Sequence, residues 1–476
     1  MKTKITFYAG IHTIGGVIMA VEYGNDRVLL EIGTAYVPSA DVFDGHVQPR
    51  LRHRLSDAVR LHDAPLIDGI YRKEDLCGLL SPTPACDDPR HTVTFISHLH
   101  LDHMSYFGML DNRVDVYMSE PAQKLEALLE TVGLGSDNIR TVPAKPMHDR
   151  EAVHVGEITV LPFLLCTQSY QDWSFYVETP DVKLHYTGDL VMHGEYLDNV
   201  LREMEYVKAQ HPDLLVCEAT TFMDSTLEMV YGRTDVTVEP DVKLPKGMLD
   251  KCGLDAELET LLAQQTGLCV FNFYQREMAD VMSFRTMAEH CGRELVFEPE
   301  TAYVVWKFFN KPVLVWMPDS PRFTPEEIAR KPWLQALLKA NRVITREELC
   351  AAPAHYLLQN SYEYSMELMD LPADSGAYLH AGGMPIGAYD PAYQNLMKVL
   401  QFTGFKYVTF FAKNYFSHAY PCQVKYYVDQ IDAKILVPSH SQNPERLLPS
   451  ANGIQFLPVL RQPYYYQDGK LLPWKE

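Results

Sequence analysis

Four places in this 476-residue chain carry side chains suited to chemistry. The densest is residues 97–103, Ser-His-Leu-His-Leu-Asp-His, directly after the apolar run 93–96. His98 and His100 are two apart, so on extended backbone they point to one side. Asp102 and His103 follow where the chain should turn into a helix. Imidazole and carboxylate together suit Zn²⁺ or a similar borderline metal. A lone histidine on an apolar face is usually a satisfied core residue; three histidines and an aspartate within six positions form a metal-type cluster. The other three places are Asp189 in Tyr-Thr-Gly-Asp (186–189), His418 in Ser-His-Ala (417–419) and His440 in Pro-Ser-His (438–440). Alone, an aspartate after a strand is more often a cap or turn former. Together the four groups fall after strand-like runs, and in open α/β sheets sites form at strand ends. One shared site is the economical expectation.

The elements that must position these groups are legible in outline. Strand-like runs at 17–23 and 27–32 flank Gly24-Asn25-Asp26, a hairpin signal. Residues 51–61 and 119–134 have helical spacing, the latter opening on Ser119 and closing near Gly133. Strands are expected at 158–165, 174–178, 183–186 and 214–217, with a helix at 198–210. The middle of the chain alternates: helix 254–265, strand 268–273, helix 276–291, strand 294–297. Alternation of this kind implies a parallel sheet with helices outside it. The last hundred residues alternate again, with helices at 392–402 and 423–431 and strands at 407–411 and 434–437.

Composition bounds the function. Hydrophobic residues make up 47% and charged residues 22%, which excludes a disordered or fibrous chain. No run approaches the roughly 18 apolar residues of a membrane span, so no membrane partner is expected. The nine cysteines are scattered with no CxxC pair, which fits reduced thiols in a cytoplasm. The formal net charge of −20 argues against a broad nonspecific grip on nucleic acid.

The HxHxDH pattern from His98 to His103, with Asp189 later, resembles the metallo-β-lactamase fold. Further stretches resemble its β-CASP branch, which includes ribonuclease J. Residues 215–221 resemble that branch's acidic motif A, with Glu218 as the acid; 417–419 and 438–440 resemble motifs B and C. The resemblance implies an α/β fold: a metallo-β-lactamase αββα sandwich from residues 1–205 and 376–476, with a β-CASP α/β domain, 206–375, inserted between. It implies one or two Zn²⁺ ions, with Mn²⁺ as an alternative. His98 and His100 would hold one ion, Asp102, His103 and His440 the other, and Asp189 would bridge them. A hydroxide between the metals would attack phosphorus. His418 would contact the scissile phosphate, and Glu218 would orient a ligand histidine. Asp102, Asp189, His418 and Glu218 are thus the expected catalytic set.

Two departures from the family pattern stand out. Gln168 occupies the place of a further histidine ligand, and an amide oxygen is a poor substitute for imidazole on Zn²⁺. Glu31 stands where aspartate is usual, one methylene longer. The implied activity is a metal-dependent phosphodiesterase acting on RNA, held in a local cleft. Hydrolysis of small esters, thioesters or lactones on the same fold is the alternative, as is a weakened relative that only binds. Strand edges could support a homodimer. Arg276 reads equally as a phosphate contact or a solvated arginine, and Tyr362, Tyr364 and Tyr464 to Tyr466 as base-stacking or core residues.

Overall fold

The computed structural model describes residues 1–37, 42, 47, 48, 50, 52–136, 143–165, 172–192, 196–240, 251–409 and 418–475, with backbone alone at 251–254. It is a mixed α/β protein with three sheets.

The first sheet has eight strands. Ile18–Tyr23 and Asp26–Leu30 pair antiparallel through the two-residue loop Gly24-Asn25, and Asp26–Leu30 then pairs parallel with His91–Phe95. Lys4–Ala9 lies on the other side of Ile18–Tyr23 and pairs with Pro463–Gln467 of a C-terminal hairpin. The second sheet has seven strands. At its centre Lys183–Tyr186, Leu214–Glu218 and Ile435–Ser439 run parallel, with Tyr186 beside Val216 and Val216 beside Val437.

Alternating side chains decide how these sheets stack. Val28, Val93 and Phe95 of the first sheet share a core with Phe175, Leu184, Leu214, Val216, Ile435 and Val437 of the second. Phe95 and Phe175 meet there edge-on with ring centroids 5.7 Å apart. Each such fully buried side chain contributes about 1.5–3 kcal/mol. The opposite faces are covered by helices. Leu29 and Ile18 pack with Leu55 and Val59 of helix Arg54–Leu61 and with Leu125 and Leu129 of helix Glu120–Val132. Leu215 and Cys217 pack with Val200 and Met204 of Tyr196–Gln210 and with Val424 and Val428 of Pro421–Ile431. The layers therefore run helix, sheet, sheet, helix.

The third sheet, also of seven strands, has Cys269–Phe273 near its middle, parallel to Tyr356–Gln359 and to Ala377–Ala381. It extends to Lys406–Thr409. The sheet therefore crosses residue 375, the boundary expected from sequence. Likewise Leu214–Glu218, beyond residue 205, belongs to the second sheet. Chain folding rather than composition sets these limits, because the crossing strands are apolar on both sides of the expected seams. Helix Pro299–Phe309 of this module packs beside Glu120–Val132, in one apolar cluster shared with the first module. Helix Glu120–Val132 starts as expected: Ser119 Oγ accepts from Ala122 N at 3.2 Å, and Gly133 closes it in the left-handed region.

Several sequence expectations shift. Arg276 is buried and bonded inside the protein, neither solvated nor open to phosphate. Tyr464 and Tyr364 are core residues, not stacking platforms. Glu203, which reads as part of a solvated helix face, is buried against His185 and the Tyr427 hydroxyl. No described helix is long and apolar enough to cross a membrane.

Candidate metal centre

Both sheets of the first module deliver their carboxyl ends to one place. Leu30 sits beside Phe95, so Glu31 and the 97–103 segment emerge together, and Glu31 N donates to Phe95 O at 3.0 Å. In the second sheet Glu218 pairs with Ser439, which sets Glu218 beside His440, and Asp189 follows the neighbouring strand Lys183–Tyr186. His98, His100, Asp102, His103, Asp189, Glu218, His418 and His440 are thereby collected, as the sequence implied.

Two glycines let Asp102 approach. Gly33 has no room for a side chain: a Cβ there would sit 1.9 Å from Asp102 O. Gly15 has φ +69°, and its Cβ would fall 2.3 Å from that of Asp102. Helix Leu101–Met104 is thus pressed against the first turn of the chain.

The donor atoms converge. His98 Nε2 lies 3.4 Å from Asp189 Oδ2, and His103 Nε2 lies 3.1 Å from Asp189 Oδ1. Asp102 Oδ2 lies 3.0 Å from His440 Nε2 and 3.9 Å from His103 Nε2. His98 Nε2, both ring nitrogens of His103 and Asp189 Oδ1 are buried without a partner in hydrogen-bond geometry. Native interiors rarely leave such atoms unpaired, so a cluster of them points to an absent cation. Among the described residues, three groups have ligand atoms close enough to share an ion: His98, His103 and Asp189; Asp102, His103 and His440; Asp189, Glu218 and His418. These residues fit a divalent metal. His100 stands at the edge of the cluster, its Nδ1 3.9 Å from Asp189 Oδ2. Gln168 lies outside the described residues, as do Ser417 and His193.

Electrostatics follow from this crowding. Against the burial that would raise them, the surrounding histidines, His103 foremost, hold Asp102 and Asp189 below the usual carboxylate range. Burial and the neighbouring His103 push His98 down to about 3, leaving it neutral and able to coordinate. Burial opposes the charge on His103, but Asp189 and Asp102 raise it well above the ordinary value. A cation bound here would displace that proton.

Behind the donors stands a ring of partners. His98 Nδ1 bonds Ser97 Oγ at 2.8 Å. His103 Nδ1 faces Glu31 Oε1 at 3.6 Å, and Glu31 also accepts from Ser97 N. The longer Glu31 side chain therefore comes beside its histidine without closing a hydrogen bond to it. His440 Nδ1 meets Thr220 Oγ1 at 2.7 Å, and that hydroxyl donates to Glu218 Oε2 at 2.5 Å. A proton on His440 Nδ1 would leave Nε2, which lies 3.0 Å from Asp102 Oδ2, as the nitrogen offered to an ion. Glu218 also accepts from Leu190 N and pairs with His418 Nδ1 at 2.8 Å. Burial opposes charge on His418, but Glu218 and Asp189 push it up to about 9.

Three nearby residues were missed at the level of sequence. Thr220 lies inside the quoted acidic motif, and its hydroxyl was the available signal. Glu277 Oε1 lies 2.5 Å from His100 Nε2. Asp172 is half-buried, and burial together with Glu277 pushes its carboxyl up to about 7 despite the opposing His100. Neither acid has a local pattern that marks it.

No protein-family model matches the chain, and no curated protein matches it. Among solved structures, a crystallised protein of unknown function from Enterococcus faecalis V583 aligns over 98% of this chain and 100% of its own, with a TM-score of 0.74 and 24% identity. The two share a fold. Two partial alignments are to YhfI from Bacillus subtilis, a metallo-β-lactamase fold protein, and to BJP-1, a subclass B3 metallo-β-lactamase of Bradyrhizobium japonicum. YhfI has a TM-score of 0.28 and 15% identity over 47% of this chain and 74% of its own. BJP-1 has a TM-score of 0.25 and 14% identity over 42% and 70%.

Proposed function

We propose that this chain is a metal-dependent phosphodiesterase of the metallo-β-lactamase fold, β-CASP branch, acting on RNA. The observation that carries the reading is the His418–Glu218 pair, 2.8 Å apart, set 3.7 Å from Asp189 at the margin of the histidine cluster. A histidine held by a buried carboxylate beside a metal-type cluster is suited to an anionic group entering the site. His98, His100 and Asp189 would hold one divalent ion, and Asp102, His103, His440 and Asp189 a second. Zn²⁺ or Mn²⁺ suits that set of imidazoles and carboxylates. Such an ion supplies Lewis acidity towards a phosphoryl oxygen.

The chain's own groups do the rest. Glu218, ion-paired with His418 Nδ1, would hold the ring charged, so that its other N–H can donate to a phosphate oxygen and stabilise charge gathering there. Thr220 fixes the His440 tautomer through the same Glu218 carboxylate. The formal charge of −20 confines the RNA to this cleft, so the footprint is short and the salt dependence shallow.

The same charge favours one other reading, hydrolysis of a small ester, thioester or lactone at this centre. One experiment separates them. Purified protein is incubated with 5′-labelled single-stranded RNA and Mn²⁺ or Zn²⁺, beside a panel of a p-nitrophenyl phosphodiester, thioesters and lactones. Cleavage of RNA that disappears in Asp189→Ala is the expected result. Turnover confined to the carboxylic esters, or equal RNA cleavage by Asp189→Ala, refutes the nucleolytic reading.

A further inference from the structure

The ligand histidines differ in where their outer support comes from. His98 is bonded to Ser97 and His440 to Thr220, and His103 faces Glu31, all within the first module. His100 is the exception. Its Nδ1 faces the cluster, 3.9 Å from Asp189 Oδ2, while its Nε2 lies 2.5 Å from Glu277 Oε1. Glu277 belongs to the third sheet's module: it follows strand Cys269–Phe273 and caps helix Met278–His290.

We propose that Glu277 is the positioning residue for His100, so that docking of the inserted module completes the first metal site. The proposal rests on the metal reading of the cluster given above. A carboxylate on one ring nitrogen keeps the proton there and leaves the other nitrogen's lone pair for the ion. With Nε2–H donated to Glu277, the nitrogen left for an ion is Nδ1, the one 3.9 Å from Asp189 Oδ2. The ionised acceptor also raises the basicity of the ring.

The surroundings hold Glu277 in place. Its backbone N–H donates to Tyr274 O at 2.8 Å, closing a tight turn, and the Tyr274 ring lies 5.4 Å from that of His100. The preceding residue, Arg276, donates to Leu99 O at 3.2 Å, the carbonyl between the two histidines of the motif, and to Glu126 Oε2 at 2.7 Å. A buried clamp and the carboxylate it delivers are thus adjacent in sequence. A pairing 177 residues apart joins two modules at a metal ligand.

The test is metal binding by the full chain, not turnover. Zn²⁺ affinity and stoichiometry are measured by competition with a chromophoric chelator, and Co²⁺ spectra report the ligand field. Wild type, Glu277→Ala, Glu277→Asp and Glu277→Gln are compared, with the melting temperature of each metal-free protein as the folding control. Glu277→Ala should weaken the looser-bound ion by about 10–100-fold and alter its Co²⁺ spectrum, leaving the tighter ion unchanged. Glu277→Asp, one methylene short, should do the same with the fold kept. Glu277→Gln retains an oxygen that accepts the His100 N–H and should stay within about 10-fold of wild type. Wild-type affinity in both Glu277→Ala and Glu277→Asp overturns the proposal. Glu277→Gln as defective as Glu277→Ala also overturns it, because orientation of His100 through an accepted N–H bond would then not be what Glu277 supplies. A wild type that binds no ion refutes the metal reading itself, a distinct outcome.

Discussion

Arg276→Met should be among the most damaging single substitutions outside the histidine cluster. The Arg276 side chain is 3% exposed and makes four bonds across the module boundary: to Leu99 O at 3.2 Å, Glu126 Oε2 at 2.7 Å, Leu134 O at 3.1 Å and Met104 Sδ at 3.8 Å. Methionine fills most of the volume but donates to none of them. Two backbone carbonyls lose a donor, and an ion pair whose acid is 4% exposed is broken. Removing one partner of a buried pair costs about 3–5 kcal/mol, chiefly because the remaining charge stays buried. Glu126 Oε1 keeps its bonds from Ser136 N and Oγ, which places the expected loss at the lower end, about 3 kcal/mol. The assay is urea unfolding followed by far-UV circular dichroism for wild type, Arg276→Met, Glu126→Gln and the double variant. Multi-domain chains unfold in steps, so the transition whose midpoint moves is the one compared. The double variant should be more stable than the sum of the singles predicts, by about 1–3 kcal/mol. A loss under about 1 kcal/mol in Arg276→Met, or strict additivity, would refute the argument that a buried charge pair joins the modules.

Two further outcomes test other parts of the structure. Gly33→Ala places a methyl 1.9 Å from a backbone oxygen of Asp102, so the helix carrying Asp102 and His103 must move; a cost of about 1–3 kcal/mol or more is expected, with lowered metal content, and a wild-type melting temperature with full metal content would contradict it. Glu298, buried at the end of a strand of the third sheet, has its carboxyl pushed up to about 8 by burial, despite donated bonds from Ser361 N and Gln359. Below its ordinary value of 4.5 the acid is neutral folded or unfolded. As pH rises from there towards 8 the unfolded chain ionises first, so stability is lost over that window, with a ceiling of about 5 kcal/mol. Melting temperatures between pH 5 and 8.5 should fall less steeply for Glu298→Gln than for wild type; parallel slopes would dismiss the effect.

The histidine motif stood out because its residues are contiguous, Asp189 and His440 because each follows a strand run, and Glu218 only through the family resemblance. Many strand and helix limits in the first module lie close to the sequence reading because strands buried on both faces read as short apolar runs between turn signals, whereas Asp115–Met118, Val153–Val155 and the C-terminal hairpin were not read. The inserted module was harder. Leu314–Trp316 and Arg342–Ile344 are three residues each, too short to show alternation. Helix Pro299–Phe309 is apolar almost all round because it is wedged between its own sheet and helix Glu120–Val132, so no polar face marks it. Charged residues misled most. Glu203 and Arg276 have the composition of surface residues, and only a partner brought by the fold, His185 or Glu126, makes their burial tolerable. Glu277 was hidden by the same logic, since a lone acid at a helix start has an ordinary explanation as a cap.

The buried arginines also sharpen what the charge of −20 means. Arg27, Arg72, Arg276 and Arg293 are all at most 4% exposed, so their charges serve internal bonds and are withheld from the surface. The positive surface left for a polyanion is smaller than the 42 lysines and arginines suggest. On the phosphodiesterase reading, an anionic substrate would find its attraction at the centre itself, in His418 and in the ions that the histidine cluster would hold. On that reading, occupancy of the cluster would be a condition for binding the substrate as well as for the chemistry. Glu277 gains weight from this: by setting the nitrogen that His100 offers, a residue of the inserted module would govern how much positive charge the cleft can present.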